Sequence, residues 1–280
     1  METGNKKINK GNAMFLLTFS HISDKSDLKN TSDKRKVIRM QSKGFCIAVF
    51  SDKRKTERLF QYSFEANTLS VKDKLEAIAT ANQELDIDCK NNYFRLYTQY
   101  NTQIPSEFYQ QESDKAILPL IVEHSEKYVP VAEKVEDWNI YNVSAWEKNL
   151  HRSIKKKFPD YELGTVLSSL LPIIAREKNG KDVLVFVDDN NFTIIATDRH
   201  KMLGMNTFDF VNEGDFFYYL YGFLRKMYIY PDTVSLKLGG NIAHKSLLYN
   251  VLAKYFSSVE MVSSYPCPID NYSYFCDLFE

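Results

Sequence analysis

A block of apolar runs separated by polar turns occurs twice along the chain. From residue 183 the sequence reads VLVFVDDNNFTIIATDRHKMLGMNTFDF: an unbroken apolar run to Val187, the turn Asp188-Asp189-Asn190-Asn191, and strand-like runs over residues 192–196 and 205–210. Five successive apolar residues stopped by a turn fit a strand buried on both faces, so the block predicts a central strand opening a three-stranded meander. The earlier copy starts at Val37, VIRMQSKGFCIAVFSDKRKTERLFQYSFE, with turns at Ser42-Lys43-Gly44 and residues 51–55 and an alternating third run over residues 59–64. Phe45 falls on Phe192 (192 − 45 = 147) and Phe64 on Phe210 (210 − 64 = 146). A slip of one residue over three strands marks an internal duplication.

The match extends past the meander. Val71, Leu75, Ile78 and Ala79 share one helical face, and Ser70 with Asp73 forms a capping box ahead of it; Phe216, Leu220, Phe223 and Leu224 repeat that spacing. Short strands follow at residues 93–98 and 233–238. Between the copies the pattern predicts a mostly helical stretch over residues 105–123 and one or two strands over 128–143. A second capping box, Ser144 with Glu147, predicts a helix running to about residue 157, and residues 163–176 read as a further helix containing Pro172. The polar residues 177–182 are the expected link between copies. The chain ends in a helix over residues 244–256 striped by Leu247, Leu248, Val251, Leu252 and Tyr255, a strand near residues 259–262, and an irregular tail from Ser263. The expected organisation is a loosely held leader over residues 1–36 that docks one strand, a first subdomain over 37–178 and a second over 179–280.

Composition narrows the function more than the fold. The 36 basic and 36 acidic residues cancel, so bulk electrostatics draw the chain neither to nucleic acid nor to an anionic membrane. Cys46, Cys89, Cys267 and Cys276 are scattered without a CxxC pair and read as thiols in a reducing compartment. The apolar run over residues 13–19 is too short to span a bilayer and no cleavage site follows, which predicts a cytoplasmic protein without direct membrane insertion. The 19 Phe and 18 Tyr predict either an aromatic core or a sticky surface.

Two successive units of meander, helix, strand, helix and strand resemble the duplicated ribonuclease-H-like core of the actin, sugar kinase and heat-shock chaperone superfamily. The segment Val234-Ser235-Leu236-Lys237-Leu238-Gly239-Gly240-Asn241-Ile242-Ala243 resembles its adenosine motif, a strand ending in Gly-Gly and a small or polar residue before a helix. From about Val37 onward, with Gly44-Phe45-Cys46-Ile47 and Ile104-Pro105-Ser106-Glu107-Phe108 contributing, the chain is similar to a bacterial family of unknown function with an actin-like ATPase fold. The resemblance implies an α/β protein whose two actin-like subdomains, mixed sheets flanked by helices, surround a central cleft. It also implies ATP and Mg²⁺ as cofactors, with Lys43, Gly44, Asn190, Asn191, Gly239, Gly240 and Asn241 at the nucleotide and Asp188 and Asp189 at the metal.

The residues themselves fit that chemistry poorly. Phosphate needs close approach to main-chain N–H groups, which glycine permits, and magnesium needs carboxylates. The first turn, Gln41-Ser42-Lys43-Gly44, has a glycine and no carboxylate; the second, Asp188-Asp189-Asn190-Asn191, has two carboxylates and no glycine. Two unit charges about 4 Å apart repel by roughly 4 kcal/mol at an effective dielectric near 20, unless Mg²⁺ intervenes. The acidic turn reads first as a solvated hairpin, while Gly239-Gly240 fits a strand-to-helix turn and a nucleotide contact equally. His21, His124, His151, His200 and His244 have no ligand spacing, and neither GxSxG, HExxH nor a P-loop occurs. The expectation is therefore a non-catalytic interaction or assembly module with a protein partner. The alternative is an ATP-binding protein or slow ATPase, an ATPase-like phosphoryl-transfer enzyme.

Overall fold

The computed structural model describes residues 7–10, 13–23, 34–51, 56–64, 69–85, 87–175, 180–199, 201–262, 274, 275 and 278. His200, Cys267, Cys276, most of the turn over residues 51–55 and nearly all of the tail lie outside them. In chain order the elements are β1 (Lys7–Lys10), β2 (Ala13–Ile22), β3 (Arg35–Met40), β4 (Gly44–Phe50), β5 (Thr56–Phe64), α1 (Val71–Leu85) and β6 (Asn91–Leu96). Then come β7 (Asn101–Pro105), α2 (Asp114–Ile121), β8 (Tyr128–Val135), β9 (Ile140–Glu147), α3 (Lys148–Lys157), β10 (Glu162–Thr165) and α4 (Val166–Ala175). The last set is β11 (Lys181–Val187), β12 (Asn191–Asp198), β13 (Lys201–Asp209), α5 (Glu213–Lys226), β14 (Ser235–Gly240), α6 (Leu247–Tyr255) and β15 (Ser258–Met261).

The chain divides into two compact units, the first made of Met1–Glu133 and Tyr141–Val166, the second of Lys134–Ile140 and Leu167–Glu280. Each contains the same five-stranded core, which β1 and β2 extend in the first unit. In the first the strand order is β1-β2-β5-β4-β3-β6-β10, and in the second β13-β12-β11-β14-β15. In both, the meander strands pair antiparallel and the two strands after the helix add in parallel on the far side of the first. Even the irregularity repeats: Glu57 of β5 has no opposite number in β4, and Leu203 of β13 has none in β12, again 203 − 57 = 146 residues apart. A bulge held at one place in both copies is a feature of the folding unit and not a local accident. A small sheet, β7-β9-β8, is inserted after β6.

Each central strand is apolar because both of its faces are covered, as the opening runs predicted. Val183, Val185 and Val187 of β11 pack with Phe216, Leu220, Phe223 and Leu224 of α5 and Leu252 of α6. Their counterparts in the first unit are Ile38 and Met40 of β3 with Leu75, Ile78 and Ala79 of α1 and Ile154 of α3. Val71, expected on that face, is exposed instead. The capping box of α1 forms: Ser70 Oγ donates to Asp73 Oδ2 at 2.7 Å and accepts from Asp73 N at 3.2 Å. The leader run docks as β2 along β5, with Phe15 wedged against Phe45 and Tyr62.

Three expectations are corrected. Ser144 caps no helix; it is buried in β9, where its Oγ donates to Val131 O at 3.1 Å and accepts from Trp146 Nε1 at 3.0 Å, and α3 starts at Lys148. Residues 163–165 belong to the strand β10, which pairs with β6, so the helix starts at Val166. The stretch over 105–123 is helical only from Gln111 to Ile121.

Candidate functional site

In the second unit the parallel pairing of β11 with β14 sets Val187 beside Gly240, so both strands end at the same level. That register, not proximity in sequence, brings Asp188 and Asp189 to the Gly239-Gly240-Asn241 turn. Asn241 N donates to Val187 O at 2.6 Å, and Asn241 Nδ2 reaches Asp189 Oδ1 at 3.4 Å. The hairpin is closed by Asp188 N donating to Asn191 O at 2.9 Å, and Phe210 N donates to Asn190 O at 2.8 Å. Asp188 is 4% exposed, whereas Asn190 stands in solvent. Asn191 Oδ1 is buried and accepts no hydrogen bond among the described residues.

Gly240 has φ +85°, and a Cβ there would lie 1.9 Å from Val187 O. The glycine is thus required by the neighbouring strand whether or not a ligand approaches. Gly44 is similar: a Cβ would lie 2.1 Å from Tyr62 O. Gly44 and Lys43 belong to the equivalent turn of the first unit, closed by Gln41 N donating to Gly44 O at 2.9 Å and Phe64 N to Lys43 O at 2.8 Å. Lys43 is exposed. Lys74 of α1, which sequence reasoning did not single out, reaches the same turn. Its Nζ donates to Ser42 O at 2.8 Å and lies 5.3 Å from the Phe64 ring centre, and burial lowers its pKa. One turn is therefore cationic and its counterpart anionic.

The resemblance implies ATP and magnesium, and the two requirements fare differently. Two carboxylates and two amides form a hard-oxygen set of the kind magnesium takes. Among the described residues no three His, Cys, Asp or Glu side chains cluster to hold a metal, so such a site would need further oxygens from a ligand. For phosphate the fit is poorer, because both glycines face main-chain carbonyls of their own unit and leave no open cradle at the Cα.

A second polar cluster went unread in the sequence. Arg95 of β6 lies between Arg39 of β3 and Gly164 of β10 in the parallel register. Arg95 Nη1 lies 3.3 Å from Glu133 Oε1, while Glu133 Oε2 accepts from Thr165 N at 2.7 Å and Thr165 Oγ1 at 3.1 Å. Asn142 Nδ2 donates to Thr165 Oγ1 at 2.9 Å, and Gln103 Nε2 to Asn142 Oδ1 at 3.1 Å. This chain of contacts ties β8, β9 and β7 to the ends of β6 and β10. Buried charge engaged on several sides in this way fixes geometry more than it supplies a reactive group.

Comparison with known proteins agrees with this architecture. The model of the family described as "Protein of unknown function (DUF3822)" matches residues 23–259. No curated protein matches the chain. Among solved structures, a Bacteroides thetaiotaomicron VPI-5482 protein described as having an actin-like ATPase fold and unknown function is similar at a TM-score of 0.76 and 18% identity, over 90% of this chain and 97% of that one. A chain of the PilM-PilN type IV pilus biogenesis complex is similar at 0.53 and 12% identity, over 80% of this chain and 87% of that one. Likeness at such identities establishes the fold, an actin-like ATPase fold, and no activity.

Proposed function

We propose that this chain, which belongs to that family of unknown function, is a protein-interaction or assembly module that keeps an actin-like scaffold without efficient phosphoryl transfer. The supporting observation is the second-unit turn. Where an anionic phosphate would need main-chain N–H groups and glycine, the chain presents Asp188 and Asp189, with the Asn241 amide reaching Asp189 and Gly240 held against Val187. A fold neighbour that occurs in a complex with a protein partner is consistent with the reading. No helix among the described residues is long and apolar enough to cross a membrane.

A second reading, an ATP-binding protein or slow switch, draws on one observation. Lys74 reaches the first unit's turn that contains Lys43, and Asn241 reaches Asp189 beside Asp188 in the second unit's turn, residue types that suit a phosphate contact and a magnesium contact respectively. Thermal unfolding with and without Mg-ATP separates the two readings. A ligand at about 100 times its Kd adds about 2.7 kcal/mol of stability, so binding would be plain. The expected result is no Mg-ATP turnover, and turnover lost in Asp188→Ala would overturn the proposal. A Tm shift without turnover, lost in Asp188→Ala, would favour the switch.

A further inference from the structure

The second unit carries an aromatic groove of ≈ 1000 Å³ around the C-terminal end of α5, lined by Tyr218, Tyr221, Leu224, Tyr228, Tyr230 and Pro231 among others. Three of its tyrosines stand well into solvent, Tyr218 at 75%, Tyr228 at 80% and Tyr230 at 68% exposure. The charged residues in the lining, Arg225 and Lys226, are both cations. At the helix end they complement the dipole of α5. Tyr221 also lines the groove, and its Oη is buried without a hydrogen-bond partner among the described residues. A buried phenol without a partner is uncommon and calls for an explanation.

Tyr228 is the most informative of these residues. Helix α5 ends in a Schellman motif: Ile229 N donates to Leu224 O at 2.9 Å and Tyr228 N to Arg225 O at 3.2 Å, with Leu224 and Ile229 both buried. The motif places Tyr228 in the left-handed region, φ +54°, where glycine is the favoured residue. Its side chain is exposed and so contributes little packing in return. Five described non-glycine residues have positive φ: His124, Asn139, Arg199, Tyr228 and Lys245, of which Tyr228 is the one that lines the groove. An aromatic residue kept in an unfavourable conformation and presented to solvent points to a role outside the fold.

We infer that this groove docks an extended acidic segment of a protein partner, an apolar or proline residue seated among Tyr218, Tyr228 and Tyr230 and its carboxylates set against Arg225 and Lys226. Tyrosine suits such a site because it offers a large flat apolar surface with a polar tip at little entropic cost. Charge selects the occupant: the groove's own charges are both positive, so an acidic strand is attracted and a basic one repelled. Aromatics with cations also suit single-stranded nucleic acid, but that needs a basic track along several phosphates, and this lining contains two cations in a chain of zero net charge. The inference gives the interaction role proposed above a surface and a partner chemistry, and rests on that reading only in requiring a protein partner.

The test is selection of random short peptides displayed against the whole chain, with winners measured by fluorescence anisotropy at low and high salt. Expected winners carry Asp or Glu around a proline or large apolar residue and weaken with salt. Their Kd should rise by at least about tenfold in Tyr228→Gly and in the Arg225→Glu/Lys226→Glu double variant. Tyr228→Gly should meanwhile raise the Tm by about 2–4 °C, because the glycine relieves the left-handed conformation. A lower Tm would show that Tyr228 serves the fold and would overturn the inference. So would an absence of enriched peptides, winners without acidic residues, winners indifferent to both variants, or labelled oligothymidylate binding that depends on Tyr228. ATP turnover in the same preparation would count against the non-catalytic reading while leaving peptide binding at the groove intact.

Discussion

Replacing Gly240 with alanine separates a glycine kept for the fold from a glycine kept for a ligand. At φ +85°, alanine costs about 1–2 kcal/mol in conformation alone. Its Cβ would also lie 1.9 Å from Val187 O and 2.8 Å from Val187 C and N, atoms that cannot rotate aside as a side chain would. Relieving that overlap means separating β14 from β11 at the level where Asn241 N donates to Val187 O, which forfeits about 1–3 kcal/mol more in a buried backbone bond. The expected loss is about 2–5 kcal/mol without any ligand present. Gly180→Ala and Gly44→Ala act as controls. Gly180 has φ +92° with nothing within 4 Å of the added Cβ, and should lose only the conformational part. Gly44 meets Tyr62 O at 2.1 Å without a left-handed φ, and should lose only the steric part. The assay is urea unfolding followed by far-UV circular dichroism and by tryptophan fluorescence, Trp138 reporting from the second unit and Trp146 from the first. If Gly240→Ala falls within about 0.5 kcal/mol of the parent, the steric reasoning is wrong and a ligand becomes the better reason for the glycine.

Other perturbations check the remaining parts of the argument. Glu133→Ala removes the carboxylate beside the buried Arg95 guanidinium, and should cost about 3–5 kcal/mol in the same assay. Most of that loss should return in an Arg95→Met/Glu133→Leu pair, and equal stability of the single and double variants would deny the network its role. Phe216→Ala removes the ring whose centre lies 4.2 Å from that of Phe192 and 5.6 Å from that of Phe210, and should cost about 3–5 kcal/mol, with a loss under about 1 kcal/mol counting against the second core as described. His151 is half-buried at the edge of Trp146, and burial, helped by Lys155, lowers its pKa below that of a free imidazole. The unfolded chain then takes up the proton first, so stability present above the ordinary pKa of about 6.5 falls as pH drops through it towards the folded value. His151→Gln should flatten that slope just below about pH 6.5, and unchanged slopes would show that His151 titrates alike in both states.

The duplication was legible because it is carried by strands buried on both faces and by helix stripes, where burial dictates residue type. Phe45 and Phe192 occupy equivalent buried positions, and the α5 stripe of Phe216, Leu220, Phe223 and Leu224 is buried throughout. What escaped depends on neighbours remote in sequence. β10 is four residues long, too short to show alternation, and it leads into an apolar helix whose pattern swallows it. Ser144 and Glu147 have capping-box spacing, yet β9 claims the serine because its hydroxyl has Val131 O and the Trp146 indole to satisfy. Arg95 and Glu133 read individually as wet strand residues, and only the register of β6 against β10 makes them a buried pair. The corresponding signal in sequence was two arginines, Arg39 and Arg95, each flanked by apolar residues in Val37-Ile38-Arg39-Met40 and Tyr93-Phe94-Arg95-Leu96.

The candidate turn and the tyrosine groove show the same conformational rule applied in opposite directions. At Gly240 the fold needs a left-handed residue against a main-chain carbonyl, so the fold alone explains the glycine and its presence says little about nucleotide. At Tyr228 the fold also calls for a left-handed residue, and space is open, yet the chain has tyrosine where glycine would be more stable. A sequence-level trace of this existed, since the stripe of α5 stops after Lys226 with Met-Tyr in place of the usual Gly or Asn. It was hidden by the number of aromatics, which served core and surface alike until burial separated Phe216, fully enclosed, from Tyr218, Tyr228 and Tyr230 in solvent. The residue that departs from what its own backbone favours is therefore a better guide to function than the residues that match a motif. On that ground the acidic-segment groove has the stronger physical case of the two, and Tyr228→Gly, expected to stabilise the chain while weakening binding, is the change that separates fold from function most directly.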